Sequence, residues 1–326
     1  MRPFTFDRAA DAGAAVRANG SFLAGGTTML DLMKLDVMRP GRLVDINALA
    51  PRLGAVTADV GGLRLGALAR MAEVADHATV RRDYPMIAQS LALAASAQLR
   101  NMASIGGNVL QRTRCSYFRD ASVAECNKRI PGSGCAAIGG NNRLLAVLGT
   151  SEACIASYPG DFAQAMIALD ATVEIEGPRG SRRIPFAELH RPPGDTPEVE
   201  TTLANGELIT GFAVPALPWA KRSVYLKVRD RESYAFAVAS AAVALDMNGE
   251  TVREARIALG GVATTPWRAR QAEAVLAGQR LDEALAERAA AAAFQGAVTH
   301  GENAFKPELG RRTLVRALLQ AQQMEA

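Results

Sequence analysis

The sequence predicts a two-part protein, α/β at the front and α+β at the back, with an irregular cysteine-bearing stretch set into the front part. Three observations carry this prediction. Short apolar strands alternate with helix-patterned runs in the front half, an antiparallel meander follows around Asn248-Gly249, and alanine-rich helical runs come last. The chain has 326 residues, 49% hydrophobic and 21% charged, which suits two or three packed domains and excludes wholesale disorder. No apolar run reaches the ~18 residues of a membrane-spanning helix.

In chain order, Ser21-Phe-Leu-Ala24 reads as a strand, Gly25-Gly26 as a turn, and Thr27 as the N-cap of a helix through Leu35. Arg42–Ile46 and Gly62–Leu65 read as strands, and Met71–Val80 and Pro85–Leu99 as helical stretches. Phe162–Ala168 is a helix, Ala171–Glu176 and Ser181–Ile184 form a hairpin about Gly177-Pro-Arg-Gly180, and Leu208–Val214 is a strand. Pro215 and Pro218 mark a boundary. We therefore expect domains at 1–216 and 217–326, with a cysteine-rich insert at about 112–156 in the first. Beyond the boundary, Val224–Val228, Ala235–Met247 and Val252–Gly260 form the meander, followed by helices near Trp267–Ala277, Asp282–Gln295 and Pro307–Gln323.

Two glycine motifs suggest a cofactor carrying an anion. Leu23-Ala-Gly-Gly-Thr-Thr-Met-Leu30 runs from strand through a Gly-Gly turn to a helix start, where free N–H groups would converge on a phosphate. Ala103-Ser-Ile-Gly-Gly-Asn108 is a second small-residue turn that lets backbone approach a ligand. Each alone is equally a plain chain turn. Gly132-Ser-Gly-Cys-Ala-Ala137 formally fits G-x-G-x-x-A, but it follows Pro131 in a loop and so lacks the strand a dinucleotide fingerprint needs. The scattered His77, His190 and His300 form no H-E-x-x-H, and neither G-x-S-x-G nor a P-loop occurs.

All four cysteines, Cys115, Cys126, Cys135 and Cys154, fall within 40 residues. Zinc sites usually contain a close C-x(2–4)-C pair, and none is present. Disulfides need an oxidising compartment and are dispensable in a chain of this size. An iron–sulfur cluster accepts thiolates from an irregular loop, and Pro131, Gly132, Gly134, Gly139 and Gly140 make this one irregular. Cluster, zinc, disulfide and coincidence all remain open on spacing alone. Gln98–Arg143 also carries seven basic residues against Asp120 and Glu125, so the net +4 of the chain is concentrated there. The cluster and phosphates of a cofactor are its expected partners. With 5% aromatics and no basic run, nucleic acid is a poor partner.

Taken together, Gly25-Gly-Thr27, Arg100-Asn-Met-Ala-Ser-Ile-Gly-Gly-Asn108, Pro159-Gly-Asp-Phe-Ala-Gln-Ala-Met-Ile-Ala-Leu-Asp-Ala171 and Tyr225-Leu-Lys-Val-Arg-Asp230 resemble the FAD-binding subunits of molybdenum hydroxylases, the xanthine dehydrogenase family. The resemblance spans nearly the whole chain in order. The segment from Arg114-Cys-Ser-Tyr-Phe-Arg-Asp120 to Gly149-Thr-Ser-Glu-Ala-Cys154 is similar to the insert that holds a [4Fe–4S] cluster in the FAD subunits of bacterial periplasmic aldehyde oxidoreductases.

The resemblance implies a two-lobed FAD-binding domain of the vanillyl-alcohol-oxidase/CO-dehydrogenase-flavoprotein type, followed by an antiparallel sheet with C-terminal helices. It implies an oxidoreductase subunit of a heterotrimer: a molybdenum-cofactor large subunit oxidises aldehydes, aromatic ones foremost, and a [2Fe–2S] small subunit relays electrons. FAD in this chain then passes them to an external acceptor. Carried over by position, Leu23, Ala24, Gly25, Gly26, Thr27, Thr28, Met29 and Leu30 would hold the pyrophosphate. Ala103, Ser104, Ile105, Gly106, Gly107 and Asn108 would line the second FAD segment, with Asp161 polar against the cofactor and Lys227 near the isoalloxazine. A cation there favours the anionic reduced flavin, although a strand lysine is as readily solvated. Cys115, Cys126, Cys135 and Cys154 would bind the cluster.

Where the family has Ser-Asp, this chain has Gly160-Asp161. A 4-hydroxybenzoyl-CoA-reductase-like or xanthine-dehydrogenase-like complex is the alternative enzyme, and a zinc- or disulfide-stapled binding module the alternative of another class. The glycine motifs and cysteines are separate in sequence, so Cys126→Ser is expected to lower iron while leaving much FAD bound. The opening Met1-Arg-Pro-Phe-Thr-Phe-Asp-Arg8 lacks the features of a secretory signal, so periplasmic residence would need co-export with a signal-bearing partner; otherwise the chain is cytoplasmic.

Overall fold

The computed structural model describes residues 1–324 as three sheets with helices packed between and outside them. The first lobe comprises β1 (Thr5–Arg8), α1 (Ala12–Arg17), β2 (Ser21–Leu23), α2 (Met29–Lys34), β3 (Arg42–Asp45) and α3 (Ala50–Leu53). Its strands are parallel in the order β1-β3-β2. Asp11 caps α1 by accepting from the Ala14 N–H at 2.7 Å, and Ala15 and Val16 turn inward against Val44 and Ile46.

The second lobe begins with β4 (Val56–Asp59) and β5 (Gly62–Gly66). Seven helices follow: α4 (Met71–Asp76), α5 (Ala78–Asp83), α6 (Pro85–Ala92), α7 (Ala97–Met102), α8 (Ile105–Val109), α9 (Ser116–Arg119) and α10 (Phe162–Ala168). Then come β6 (Thr172–Gly177), β7 (Gly180–Pro185) and β8 (Leu208–Pro215), giving an antiparallel sheet of order β4-β5-β8-β6-β7. All seven residues of α10 are buried, as expected of a helix apolar on nearly every side. The third part is β9 (Ser223–Val228), β10 (Ala239–Asn248), β11 (Thr251–Gly260), β12 (Trp267–Arg268), α11 (Arg270–Leu276), α12 (Glu283–Ala293) and α13 (Lys306–Gln322). Its sheet runs β12-β11-β10-β9, antiparallel throughout.

Several boundaries differ from the sequence reading for local reasons. The expected helix over Met71–Val80 breaks where His77 adopts extended backbone. The stretch Pro85–Leu99 breaks after Ala92: Ala95 takes φ +48°, and Ser96, in extended backbone, caps α7 by accepting from the Leu99 N–H at 3.3 Å. Trp267 and Arg268 pair with β11 before α11 begins. The expected N-cap Thr27 gives way to Thr28, which makes no side-chain capping bond.

One tie escaped the sequence reading altogether. The fully buried Lys306 ammonium, at the start of α13, donates to the carbonyls of Leu144 and Leu145 (both 3.0 Å) and Gly261 (2.6 Å). It thereby fastens the last helix to the cysteine-bearing segment, and burial pulls its pKa down to about 7.

Candidate functional site: a divided cleft beside four cysteines

The chain leaves β2 at Leu23 and turns through Ala24–Thr28 into α2. The turn lies directly on backbone: a Cβ on Gly25 would stand 2.0 Å from the Met102 carbonyl oxygen. Gly26 has φ +72°, a conformation that glycine adopts without strain. The peptide N–H groups of Gly25 through Thr28 take no partner among the described residues.

The second motif, expected to be a turn, forms α8. Ser104 caps it by accepting from the Gly107 N–H at 3.2 Å, while the Gly106 N–H bonds the Ala67 carbonyl at 2.8 Å. Both motifs line one cavity of about 330 Å³: Ala24, Gly25, Gly26, Thr27, Thr28 and Met29 on one side, Ser104, Gly106 and Gly107 on the other, with Phe22, Met38, Ile46, Leu68 and Ile209 giving apolar walls. Of the residues singled out in sequence, Leu23 and Leu30 lie beneath Gly26 rather than on the lining, and Ile105 is wholly buried.

Thr27 and Thr28 also border a second cavity of about 750 Å³, lined further by Asp31, Ala103, Asn108, Arg114, Asp161, Asp230, Tyr234 and Phe236. Asn108 Oδ1 is buried there without a partner among the described residues. Asp161 sits at the start of α10 but does not cap it. Its carboxylate accepts from the Tyr225 hydroxyl (2.6 Å) and from Lys227 Nζ (2.8 Å), and the Tyr225 oxygen lies 2.9 Å from Ser240 Oγ. Burial pushes the Asp161 carboxyl pKa up, opposed by Lys227 and the Tyr225 hydroxyl.

Tyr225 and Lys227 are two apart on β9, so both point to one face, and Lys227 also donates to the Leu93 carbonyl at 3.0 Å. Asp161 borders this cavity; Lys227 stands behind it and meets the cleft through that carboxylate. Gly160 is explained by packing, since a Cβ there would fall 2.5 Å from the Tyr158 ring.

Tyr158 also packs on His190, which the sequence had left without a role. The imidazole lies edge-on to the Tyr158 ring at 4.8 Å, and its Nε2 stands 2.9 Å from the Val109 carbonyl at the end of α8. Burial pushes its pKa down to about 4. A pKa below the unfolded value means that stability is complete above about pH 6.5 and drains away as pH falls toward 4. We expect acidification over that window to remove up to about 3 kcal/mol, and urea melts of His190→Leu to show a flatter pH profile there. A wild-type profile that matches the variant would refute this.

The four cysteines share one buried cluster with Leu32, Phe118 and Ile155. All are free thiols. Peptide N–H groups of Tyr117 and Phe118 bond the Cys115 sulfur, those of Ala137, Ile138 and Ile155 bond Cys135, and the Ala156 nitrogen lies 3.5 Å from Cys154 Sγ. The Cys154 thiol bonds Cys135, which pulls the Cys135 thiol pKa down. Among the described residues, no three His, Cys, Asp or Glu side chains converge tightly enough to hold a single ion.

The basic residues of this segment also have partners within the chain. Arg114 and Arg119 pair with Asp31, Arg112 and Lys128 with Glu200, and Arg143 with Asp230, while Arg100 and Arg129 bond carbonyls. Three carboxylates from outside the segment, Asp31, Glu200 and Asp230, offset part of its charge, which its sequence alone does not reveal.

Residues 1–217 match the family described as the FAD binding domain in molybdopterin dehydrogenase, and residues 224–321 match the CO dehydrogenase flavoprotein C-terminal domain. The chain belongs to the FAD-binding subunit family of molybdenum hydroxylases. As an FAD-binding subunit it is 47% identical to the aldehyde oxidoreductase FAD-binding subunit PaoB of Escherichia coli (strain K12), over 98% of this chain and 99% of that protein. The glyceraldehyde dehydrogenase medium chain of Sulfolobus acidocaldarius is 27% identical over 81% of this chain and 75% of its own. In structure, the FAD-binding subunit is similar to carbon monoxide dehydrogenase from Hydrogenophaga pseudoflava, with TM-score 0.76 and 25% identity, covering 98% of this chain and 97% of that one. The expected two-part flavoprotein fold is thus the one observed, and a stapled binding module is not favoured. No helix among the described residues is long and apolar enough to cross a membrane.

Proposed function

We propose that the chain is the electron-transferring FAD subunit of a molybdenum-dependent aldehyde oxidoreductase and that it also carries a [4Fe–4S] cluster. The observation that carries this reading is the near full-length 47% identity to a protein named as an aldehyde oxidoreductase FAD-binding subunit. Its partners on this reading are a large subunit with the molybdenum cofactor and a small [2Fe–2S] subunit, and division of the chain near residue 217 belongs to the same reading. Bound FAD supplies two-electron and one-electron redox chemistry. The unpartnered N–H groups of Gly25–Thr28 would hold its pyrophosphate between the two cavities, and Asn108 and Asp161 would face the portion in the larger one.

For the cluster, the support is the donor set. Four thiols lie in one apolar pocket with peptide N–H groups directed at sulfur, the arrangement that stabilises thiolates bound to iron. Each thiolate of a cubane binds a different iron, so the sulfurs need not converge as they must around one zinc ion.

Purification of the native complex followed by subunit analysis, a visible spectrum and iron and zinc determination tests the whole reading. Flavin with about four irons beyond those of the [2Fe–2S] subunit supports it; zinc without flavin sinks it. Cys126→Ser is expected to remove most of that iron. Much of the FAD should stay, as the sequence separation suggests, and part should leave with the iron, because Leu32 of α2 packs in the cysteine cluster while α2 itself continues from the glycine turn. Retention of full iron by this variant would remove Cys126 from the ligand set.

A further inference from the structure

Arg114 immediately precedes Cys115, yet its side chain borders the larger cavity of the cleft. Its Nη1 donates to Asp31 Oδ2 at 3.0 Å, and its guanidinium lies 5.0 Å from the centre of the Phe236 ring. Asp31 belongs to α2, which leads away from the glycine turn, and Phe236 belongs to the loop between β9 and β10. One guanidinium therefore touches both walls. Its Nε–H is buried without a partner among the described residues. Leaving a charged group's donor buried and unpaired is costly, so this one is available to a ligand.

Arg119 reinforces the same carboxylate at 2.7 and 3.0 Å, and Arg143 grips Asp230 of the opposite wall through two bonds of 2.8 and 3.0 Å. The loop these residues brace is itself strained. Tyr234 holds φ +52°, which a bulky side chain adopts only when its surroundings enforce it.

We infer that Arg114 is a flavin-site residue supplied by the cysteine segment. Its Nε–H donates to the bound cofactor, and its contacts with Asp31 and Phe236 make FAD affinity depend on the integrity of the cysteine site. The inference rests on the flavin and cluster assignments proposed above. By linkage, the dependence is reciprocal: FAD must stabilise the cysteine segment by the same factor that the segment strengthens FAD binding.

The test uses the intact complex, stripped of FAD and titrated with it while flavin fluorescence and iron content are followed. Arg114→Met should weaken FAD binding about tenfold or more with iron retained, the loss expected for one charge-assisted bond together with its bracing contacts. Arg114→Lys preserves the positive charge and with it folding, but lacks the Nε–H, and should also bind FAD more weakly than wild type. Cys115→Ser should weaken FAD as well, and adding Arg114→Met to it should change little further, because both act through one connection.

Wild-type affinity in both Arg114 variants overturns the inference, as does full additivity of Arg114→Met with Cys115→Ser. A wild-type complex with flavin but no iron beyond that of the [2Fe–2S] subunit would defeat the cluster assignment separately. The two Arg114 titrations would still report on the flavin contact.

Discussion

Replacing Lys227 with methionine is expected to destabilise the protein by about 3–5 kcal/mol at neutral pH, because it strands a buried carboxylate. The Lys227 and Asp161 side chains are 1% and 3% exposed, and among the described residues the ammonium is the only full charge bonded to that carboxylate. After substitution, Asp161 keeps the Tyr225 hydroxyl but loses its counter-ion, and burial drives its carboxyl further up than in the wild type.

The pH dependence follows from the sign of that shift. A carboxyl whose folded pKa exceeds its unfolded value gives most stability below the unfolded pKa and loses it as pH rises. The deficit of Lys227→Met should therefore be smaller at pH 5 than at pH 8. Adding Asp161→Asn removes the stranded charge while leaving an acceptor for Tyr225, so the double variant should be more stable than Lys227→Met alone. Chemical denaturation of the three variants at several pH values decides the matter. Wild-type stability for Lys227→Met, or a double variant weaker than the single, would show that the pair is not a coupled buried unit. FAD affinity should fall in Lys227→Met, since Asp161 borders the larger cavity.

Much of this arrangement could be read in the residues beforehand. The apolar run Phe162–Ala168, the hairpin about Gly177–Gly180 and the Asn248-Gly249 turn carry their own local signals, and each lies where the pattern put it. The two glycine motifs announced close backbone approach, and the cavity between them is where that approach occurs. What stayed hidden depends on partners far along the chain. That Lys227 lies behind Asp161 follows from the register of β9 on β10 and the seating of α10 beneath them, neither of which a strand lysine advertises. The basic character of residues 98–143 suggests anionic cofactors, and its sequence does not show that Asp31, Glu200 and Asp230 offset part of it from outside the segment. Lys306 and His190 were overlooked for the same reason. Their environments consist of carbonyls and rings brought in from elsewhere, and sequence periodicity records burial but not the identity of the distant neighbour.

The second large effect is expected from Gly25→Val. A Cβ at this position would stand 2.0 Å from the Met102 carbonyl oxygen and 2.7 Å from its carbon, so the clash is with backbone and no side-chain rotation relieves it. Either the turn or the end of α7 must shift. The Met102 carbonyl also receives the Arg70 guanidinium, which reaches Asn47 Oδ1 at 3.0 Å; Asn47 in turn donates to the Ala24 carbonyl at 3.1 Å. A displacement of Gly25 therefore loosens a closed ring of contacts that fixes both glycine segments. Overpacking against such a ring is expected to destabilise by about 1–3 kcal/mol and, more severely, to abolish FAD retention on purification, because the free N–H groups of Gly25–Thr28 lose their common focus. Gly249→Ala is the matched control: Gly249, in the turn between β10 and β11, has φ +58° and nothing within 4 Å of its Cβ position, so that variant should lose some stability to strain while keeping its flavin. Equal FAD content in the Gly25 variant and the control would dissociate the turn from cofactor binding. Loss confined to Gly25→Val would tie it to the close packing of this turn.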